Sequence, residues 1–165
     1  MLRGVRNLAA VAAVAAGAFA IAPAARSGDA GDIVAGHMVA EALLAAHLVA
    51  VAERAGMGPE EINAILRDVV AKSAIDEFWI TDGTGRAYLT SEAGVAFTFV
   101  NDPAVQPQAS AFWPLIEGEA EVVIQEARKR EIDDRVFRYV GVAGVDGPRI
   151  VQVGVGAENL PRGDE

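Results

Sequence analysis

Residues 78–90 read Phe-Trp-Ile-Thr-Asp-Gly-Thr-Gly-Arg-Ala-Tyr-Leu-Thr, two runs of β-forming residues on either side of an Asp-Gly-Thr-Gly turn. An Asp-Gly pair in such a place favours a β-hairpin, because glycine accepts the positive φ that tight hairpin turns require. The turn has no strand-to-helix context, so it is not a phosphate-binding loop. The stretch therefore predicts that a sheet begins here.

The segment before this hairpin has the signals of an amphipathic helix. Pro59 stands at its first turn, and Glu60 and Glu61 complement the positive N-terminal end of a helix. Apolar residues then recur with helical spacing, at Ile62, Ile65, Leu66, Val69 and Val70. Lys72 falls in the last turn, where a cation is favoured, so we predict a helix from residue 59 to about residue 72.

After the hairpin the apolar period stays near two, which is typical of strands. A second turn, at residues 144–148, joins two of the runs, and an excursion from Asn101 to Gly118 separates two others. Excursions of this length in a compact domain are usually functional. The predicted strands are Glu77–Thr81, Arg86–Thr90, Ala96–Val100, Glu121–Arg128, Val136–Ala143 and Arg149–Gly156.

A long apolar segment precedes both elements. A helix is predicted from Ile33 to about Ala55 and ends at Gly56 and Gly58; between Met38 and Ala52 its only polar residues are Glu41 and His47. Such a helix has to be covered, either by the sheet of its own domain or by a second copy of the chain. Two helices followed by an antiparallel sheet of about five or six strands make an α+β domain.

The N-terminus has the three parts of a secretory signal: Arg3 and Arg6, an uncharged apolar run from Leu8 to Ala22, and the small-residue site at 22–24. An uncleaved membrane anchor formed by residues 5–22 is the alternative. We therefore divide the chain into a signal or anchor (1–24), a linker (25–32), one domain (33–160) and a tail (161–165). The predicted location is periplasmic, free or tethered to the inner membrane.

Composition excludes several classes of function. The 165 residues contain no cysteine, which excludes disulfides and cysteine nucleophiles, and their net charge of −9 argues against nucleic acid as a partner. His37 and His47 are ten positions apart on one helix, too far along it to share a metal ion. No acid–base or nucleophile constellation stands out, so we predict neither catalysis nor a metal or other cofactor.

The order of these motifs resembles the single Cache domains, the extracytoplasmic PAS-like modules of bacterial chemoreceptors and sensor kinases. The resemblance covers about residues 35–158. Besides the helix and the hairpin, four stretches carry it: 97–99 (Phe-Thr-Phe), 106–115 (Gln-Pro-Gln-Ala-Ser-Ala-Phe-Trp-Pro-Leu), 137–142 (Phe-Arg-Tyr-Val-Gly-Val) and 144–154 (Gly-Val-Asp-Gly-Pro-Arg-Ile-Val-Gln-Val-Gly). It implies a small-molecule sensor with a PAS-like sheet, partnered by a membrane sensor kinase or chemoreceptor. An interaction module that dimerises through helix 33–55 is the alternative function.

The candidate ligand site combines aromatic walls with a few polar groups, as ligand pockets do. An arginine suits a carboxylate through a two-point contact, so the predicted ligand is a small organic acid or an amino acid. The predicted site residues are Trp113, Tyr139, Arg130, Arg128, Gln125, Phe97, Phe99 and Gln108.

Strand alternation predicts which face of the sheet holds this site. Phe137, Tyr139 and Gly141 share one face of their strand, whereas Val136, Val140 and Val142 share the other. The aliphatic face suits packing against the long helix. We therefore expect Trp113 and Tyr139 to share a cavity on the opposite face, with Arg130 or Arg128 at its rim and Gly141 leaving room for the ligand.

Overall fold

Two long helices precede the first strand of the sheet, as the sequence predicts. The computed structural model describes residues 30–160, and these form three helices and one six-stranded antiparallel sheet. The helices are α1 (Ala30–Arg54), α2 (Pro59–Lys72) and the short α3 (Pro114–Glu117). The strands are β1 (Glu77–Thr81), β2 (Ala87–Thr90), β3 (Val122–Ile124), β4 (Arg128–Lys129), β5 (Val136–Ala143) and β6 (Ile150–Gly156). The predicted α+β class is confirmed, while the predicted signal or anchor and the tail lie outside the described residues.

The last strand lies at the centre of the sheet. The strand order is β2-β1-β6-β5-β3, and β4 pairs with the first part of β5. The register places Glu77 of β1 opposite Gly154 of β6, and Gly154 opposite Tyr139 of β5. These three residues therefore form one row across the middle of the sheet.

One face of the sheet is covered by α1. The buried side of this helix is made of alanines together with Met38 and Val49, and the many alanines let the helix approach the valines of β5 and β6 closely. Val140 and Val142 point towards α1, as predicted, whereas Val136 at the start of β5 is exposed. Since α1 begins at Ala30, the last residues of the predicted linker 25–32 are helical.

The bounds of α2 match the prediction from Pro59 to Lys72. Its start is fixed by the Glu61 carboxylate, which accepts the backbone N–H of Gly58 at 2.9 Å. Ile62 and Leu66 are fully buried in the same core as α1. The helix lies beside β2 and leaves an apolar groove between itself and α1.

Two predicted strands are wrong in extent. Ala96–Val100 is reduced to a single bridge between Thr98 and Arg86, because the Gln106 side chain bonds the backbone of this segment on its other side. The predicted strand at residues 121–128 is divided into β3 and β4. Between these strands Gln125 turns its side chain inward, where it donates to the carbonyl of Gln108 at 2.8 Å.

A polar cluster fastens the C-terminal end of α1 to the sheet. The Tyr88 hydroxyl donates to Glu53 at 2.6 Å, and Arg149 donates to both Tyr88 and Glu53. Burial, followed by the hydrogen bond to Glu53, raises the pKa of Tyr88 well above its ordinary value. The phenol is therefore neutral throughout the physiological range.

By length and composition α1 is apolar enough to cross a membrane, as a signal sequence or anchor would be, and 39% of its most apolar window is buried in the domain. Buried core helices share this property. Residues 5–22, the predicted anchor, lie outside the described part of the chain.

Candidate functional site

The face of the sheet away from α1 holds most of the aromatic residues, including those of β5, as strand alternation predicts. Tyr139 and Phe137 lie in a core cluster with Trp79, Phe99 and Phe112, none of which contacts the α1 core. The Phe137 and Tyr139 rings are stacked, with centroids 5.6 Å apart. The predicted orientation of Tyr139 is therefore confirmed.

A small cavity lies within this cluster. Its volume of about 10 Å³ leaves room for about one water molecule. Five of the eight predicted site residues line it: Phe97, Phe99, Gln108, Arg130 and Tyr139. The remaining lining residues are Trp79, Glu131, Ile132 and Gln152.

Of the other three predicted residues, one lies directly behind the cavity and two lie apart from it. Gln125 exchanges hydrogen bonds with Gln108, so it supports the wall. Arg128 is exposed and donates to the carbonyl of Pro107 at 3.3 Å. Arg130, predicted at the rim, is instead buried inside, with 3% of its side chain exposed.

Trp113 does not share the cavity with Tyr139, so this part of the prediction is wrong. Its indole lies against Gly85, where an added Cβ would come within 2.6 Å of the ring, and its N–H donates to Glu117 at 3.0 Å. Trp113 therefore packs on the hairpin turn, beside the aromatic cluster and outside the cavity.

The space above Gly141 is also not free for a ligand. Phe112 and Leu115 of the 101–118 excursion fill it, and a Cβ on Gly141 would lie 2.6 Å from the Phe112 ring. Gly141 therefore leaves room for Phe112 and Leu115 of the protein, and not for a ligand.

A buried carboxylate organises the polar groups beside the cavity. Glu77 accepts hydrogen bonds from the Trp79 indole at 2.8 Å, from the Tyr139 hydroxyl and from the Arg130 guanidinium. Both Glu77 and Arg130 are almost fully buried, so each charge depends on the other for compensation. Gly154 makes the arrangement possible, since a Cβ there would lie 2.6 Å from the Tyr139 ring and 2.8 Å from the Glu77 side chain.

The rest of the Arg130 guanidinium is taken by Asp133. Its Nε and Nη2 donate to the two oxygens of Asp133, each at 2.7 Å. This two-point contact closes the loop of residues 130–135, in which Asp134 adopts a left-handed φ of 62°. Arg130 also stacks on the Phe137 ring, 4.4 Å from its centroid.

These contacts fix the charge states. The hydrogen bonds to Asp133 hold the pKa of Arg130 above its ordinary value against the opposing effect of burial. The same contact lowers the pKa of Asp133 well below its usual range. Burial, and next the negative charge of Glu77, raises the pKa of Tyr139 well above that of a free phenol. Arg130 is therefore charged, Asp133 ionised and Tyr139 neutral at physiological pH.

Two buried polar atoms on this cavity have no hydrogen-bond partner among residues 30–160: Glu131 Oε2, an acceptor, and Gln152 Nε2, a donor. Glu77, Glu131 and Gln152 were not predicted. The signal for Glu77 and Gln152 is present in the sequence, since each is a polar residue in an otherwise apolar strand and shares the face of Trp79 or Tyr139. Glu131 lies in a loop, where no periodicity marks it.

A second surface with functional character is the solvent side of α1. Between Asp32 and Arg54 its exposed residues carry no charge, and Leu44 is 70% exposed. An apolar groove of about 270 Å³ runs beside Leu44, between α1 and α2. The exposed residues on this side of α1, between Asp32 and Arg54, are Ile33, Gly36, His37, Ala40, Leu43, Leu44, His47 and Val51.

Within the described residues, no group of three or more His, Asp or Glu side chains is placed to hold a metal ion. What the site offers is a guanidinium, two carboxylates and an amide within aromatic walls, groups that recognise carboxylates and amines. The chain matches no known protein-family model, and no curated protein is significantly similar to it in sequence.

Proposed function

We propose that the protein is an extracytoplasmic small-molecule-binding domain of the single Cache type, a sensory or accessory module that performs no covalent chemistry. The observation that carries the proposal is the convergence of Arg130, Glu131 and Gln152 on one aromatic-walled cavity. A folded protein rarely buries two unpartnered polar atoms and a charged arginine together without a use for them.

The ligand is a small organic acid or an amino acid, with its carboxylate on Arg130. A cavity of about 10 Å³ is too small for such a molecule. Ligand binding therefore requires residues 132–135, the outer part of the loop of residues 130–135, to move outward while Arg130 and Glu131 stay in place. Ile132, in this outer part of the loop, lines the cavity and is 37% exposed.

The proposed location is the periplasm, with the N-terminal segment serving as signal or anchor and a membrane sensor kinase or chemoreceptor as signalling partner. The sequence motifs of the first 24 residues and the resemblance to Cache domains support this assignment.

A thermal-shift screen of the full chain against organic acids, amino acids and purines tests ligand binding. A true ligand at 100 times its dissociation constant stabilises the protein by about 2.7 kcal/mol. Arg130→Lys should abolish the response, because lysine lacks the planar fork, while Arg128→Lys at the exposed neighbouring position should retain it. A panel without any shift would remove the basis for the proposal.

A second candidate function is dimerisation through α1, favoured by its uncharged exposed face. In this case Leu44→Glu should convert a dimer to a monomer in light scattering, because it places a charge at the centre of that face. Ala64→Glu, on the exposed side of α2, is the matched control and should leave the dimer intact. A wild-type chain that is monomeric at all accessible concentrations contradicts this function.

A further inference from the structure

The two unpartnered polar atoms on the cavity are chemically complementary to one kind of ligand. Glu131 Oε2 needs a donor, and Gln152 Nε2 needs an acceptor. Gln152 is 2% exposed, so bulk water does not satisfy its amide. The other oxygen of Glu131 accepts the backbone N–H groups of Gln108 and Ala109, at 2.6 and 3.2 Å, which holds the carboxylate in position beside the cavity.

The Arg130 fork already holds a carboxylate in the geometry that a ligand would use. Asp133 binds it at two points, yet 35% of the Asp133 side chain is exposed, whereas only 3% of the Arg130 side chain is. Asp133 also pairs with the exposed Arg135 at 2.7 Å. The two can therefore move to solvent together when residues 132–135 open, while Arg130 stays in place beneath them, held by Glu77.

We propose that this site binds a zwitterionic α-amino acid, whose carboxylate replaces Asp133 on Arg130 and also accepts from Gln152, while its ammonium group donates to Glu131. The inference rests on the proposed ligand-binding function and names its ligand class. Asp133 then acts as an internal competitor that keeps the loop of residues 130–135 closed in the absence of ligand.

Charge favours the zwitterion over a simple organic acid. Two arginines, Arg130 and Arg135, and three carboxylates, those of Glu77, Glu131 and Asp133, lie at the site, so its formal charge is 2 − 3 = −1. Because Asp133 leaves together with Arg135, a monoanion in its place makes this charge more negative and lies beside the unpartnered oxygen of Glu131. An amino acid pairs that oxygen with its ammonium group and adds no net charge.

Isothermal titration calorimetry on the full chain tests the proposal, with each standard L-amino acid compared with its des-amino carboxylic acid, for example L-alanine with propanoate. We expect the best amino acid to bind at least tenfold more tightly than its des-amino partner, the order of magnitude of a hydrogen bond to a charged group. This comparison uses only the wild-type protein.

Variants separate the roles of the two acidic residues. Glu131→Gln keeps the shape and the acceptor for Gln108 and Ala109, and should weaken amino-acid binding on the order of tenfold without weakening that of the des-amino acid. Asp133→Asn should strengthen binding of both classes, because the competitor is lost. Asp134→Asn, the exposed neighbour, should change neither.

The outcomes distinguish this inference from the function on which it rests. Equal binding of amino acids and des-amino acids, unaffected by Glu131→Gln, overturns the amino-acid assignment and leaves a carboxylate sensor. Absence of binding heat for both classes, in the wild type and in Asp133→Asn, overturns both. Weaker binding in a folded Asp133→Asn protein overturns the role of Asp133 as competitor.

Discussion

Replacement of Gly154 by alanine tests whether close packing in the row Glu77–Gly154–Tyr139 stabilises the aromatic face of the sheet. An added Cβ would lie 2.6 Å from Tyr139 Cε1 and 2.8 Å from Glu77 Cγ, closer than two carbon atoms can approach. The two side chains must move apart, and the hydrogen bond from the Tyr139 hydroxyl to the buried Glu77 carboxylate weakens.

The expected loss of stability follows from three effects. Overpacking a core costs about 1–3 kcal/mol, and loss of a hydrogen bond to a charged group costs about 1.5–3 kcal/mol. Alanine in a strand recovers about 0.5–1 kcal/mol of the conformational entropy that glycine loses on folding. The variant should therefore be less stable by about 2–5 kcal/mol.

Urea unfolding followed by far-ultraviolet circular dichroism measures the difference. Gly36→Ala is the control, because Gly36 lies on the exposed side of α1 with no atom within 4 Å of its added Cβ, and it should stabilise the protein by up to about 1 kcal/mol. In a Tyr139→Ala background most of the Gly154→Ala penalty should disappear, with a coupling of at least about 1 kcal/mol. A Gly154→Ala protein within about 0.5 kcal/mol of wild type would refute the reasoning.

Three further predictions concern ionisable side chains. Glu77→Gln should destabilise the protein by about 3–5 kcal/mol in urea unfolding, because it removes the buried partner of Arg130; an unchanged midpoint would mean that Asp133 alone compensates the arginine. Folding raises the pKa of Tyr88 and Tyr139, so their contribution to the free energy of unfolding should be fully present below about pH 10, the pKa of tyrosine in the unfolded chain, and should fall above it. A rise in phenolate absorbance near pH 10 while the protein is still folded would contradict this prediction. Folding lowers the pKa of Asp133, so its contribution to the free energy of unfolding should be present above about pH 4 and be lost as the pH falls further. The stability of Asp133→Asn, measured by urea unfolding, should therefore decline less steeply with falling pH than that of the wild type. Equal slopes of stability against pH would count against this prediction.

The sequence predicted correctly the bounds of those helices and strands that are determined by their own residues. The bounds of α2 follow from Pro59 and the acidic first turn, and those of β5 from its alternation. The predicted strand at 96–100 was wrong because a side chain, that of Gln106, occupies the backbone groups that a strand would use. No periodicity reveals such a contact.

The sequence predicted on which face of the sheet the candidate site lies, but not the burial of Arg130 or the position of Trp113. Alternation along β5 places Tyr139 correctly, and five predicted residues do line one cavity. The burial of Arg130 depends on Glu77, which lies 53 positions away in the chain, and this pairing is a property of the tertiary fold. The displacement of Trp113 depends likewise on the close approach to Gly85.

The central position of β6 has a consequence for how the chain folds. Glu77 of β1 pairs with Gly154 of β6, a separation of 77 residues (154 − 77), so the middle of the sheet closes only after nearly the whole domain has been synthesised. Until then the β1–β2 hairpin has one unpaired edge, and the pairings of such distant strands form slowly once they become available. The sheet is therefore completed only when the last strand of the domain is available.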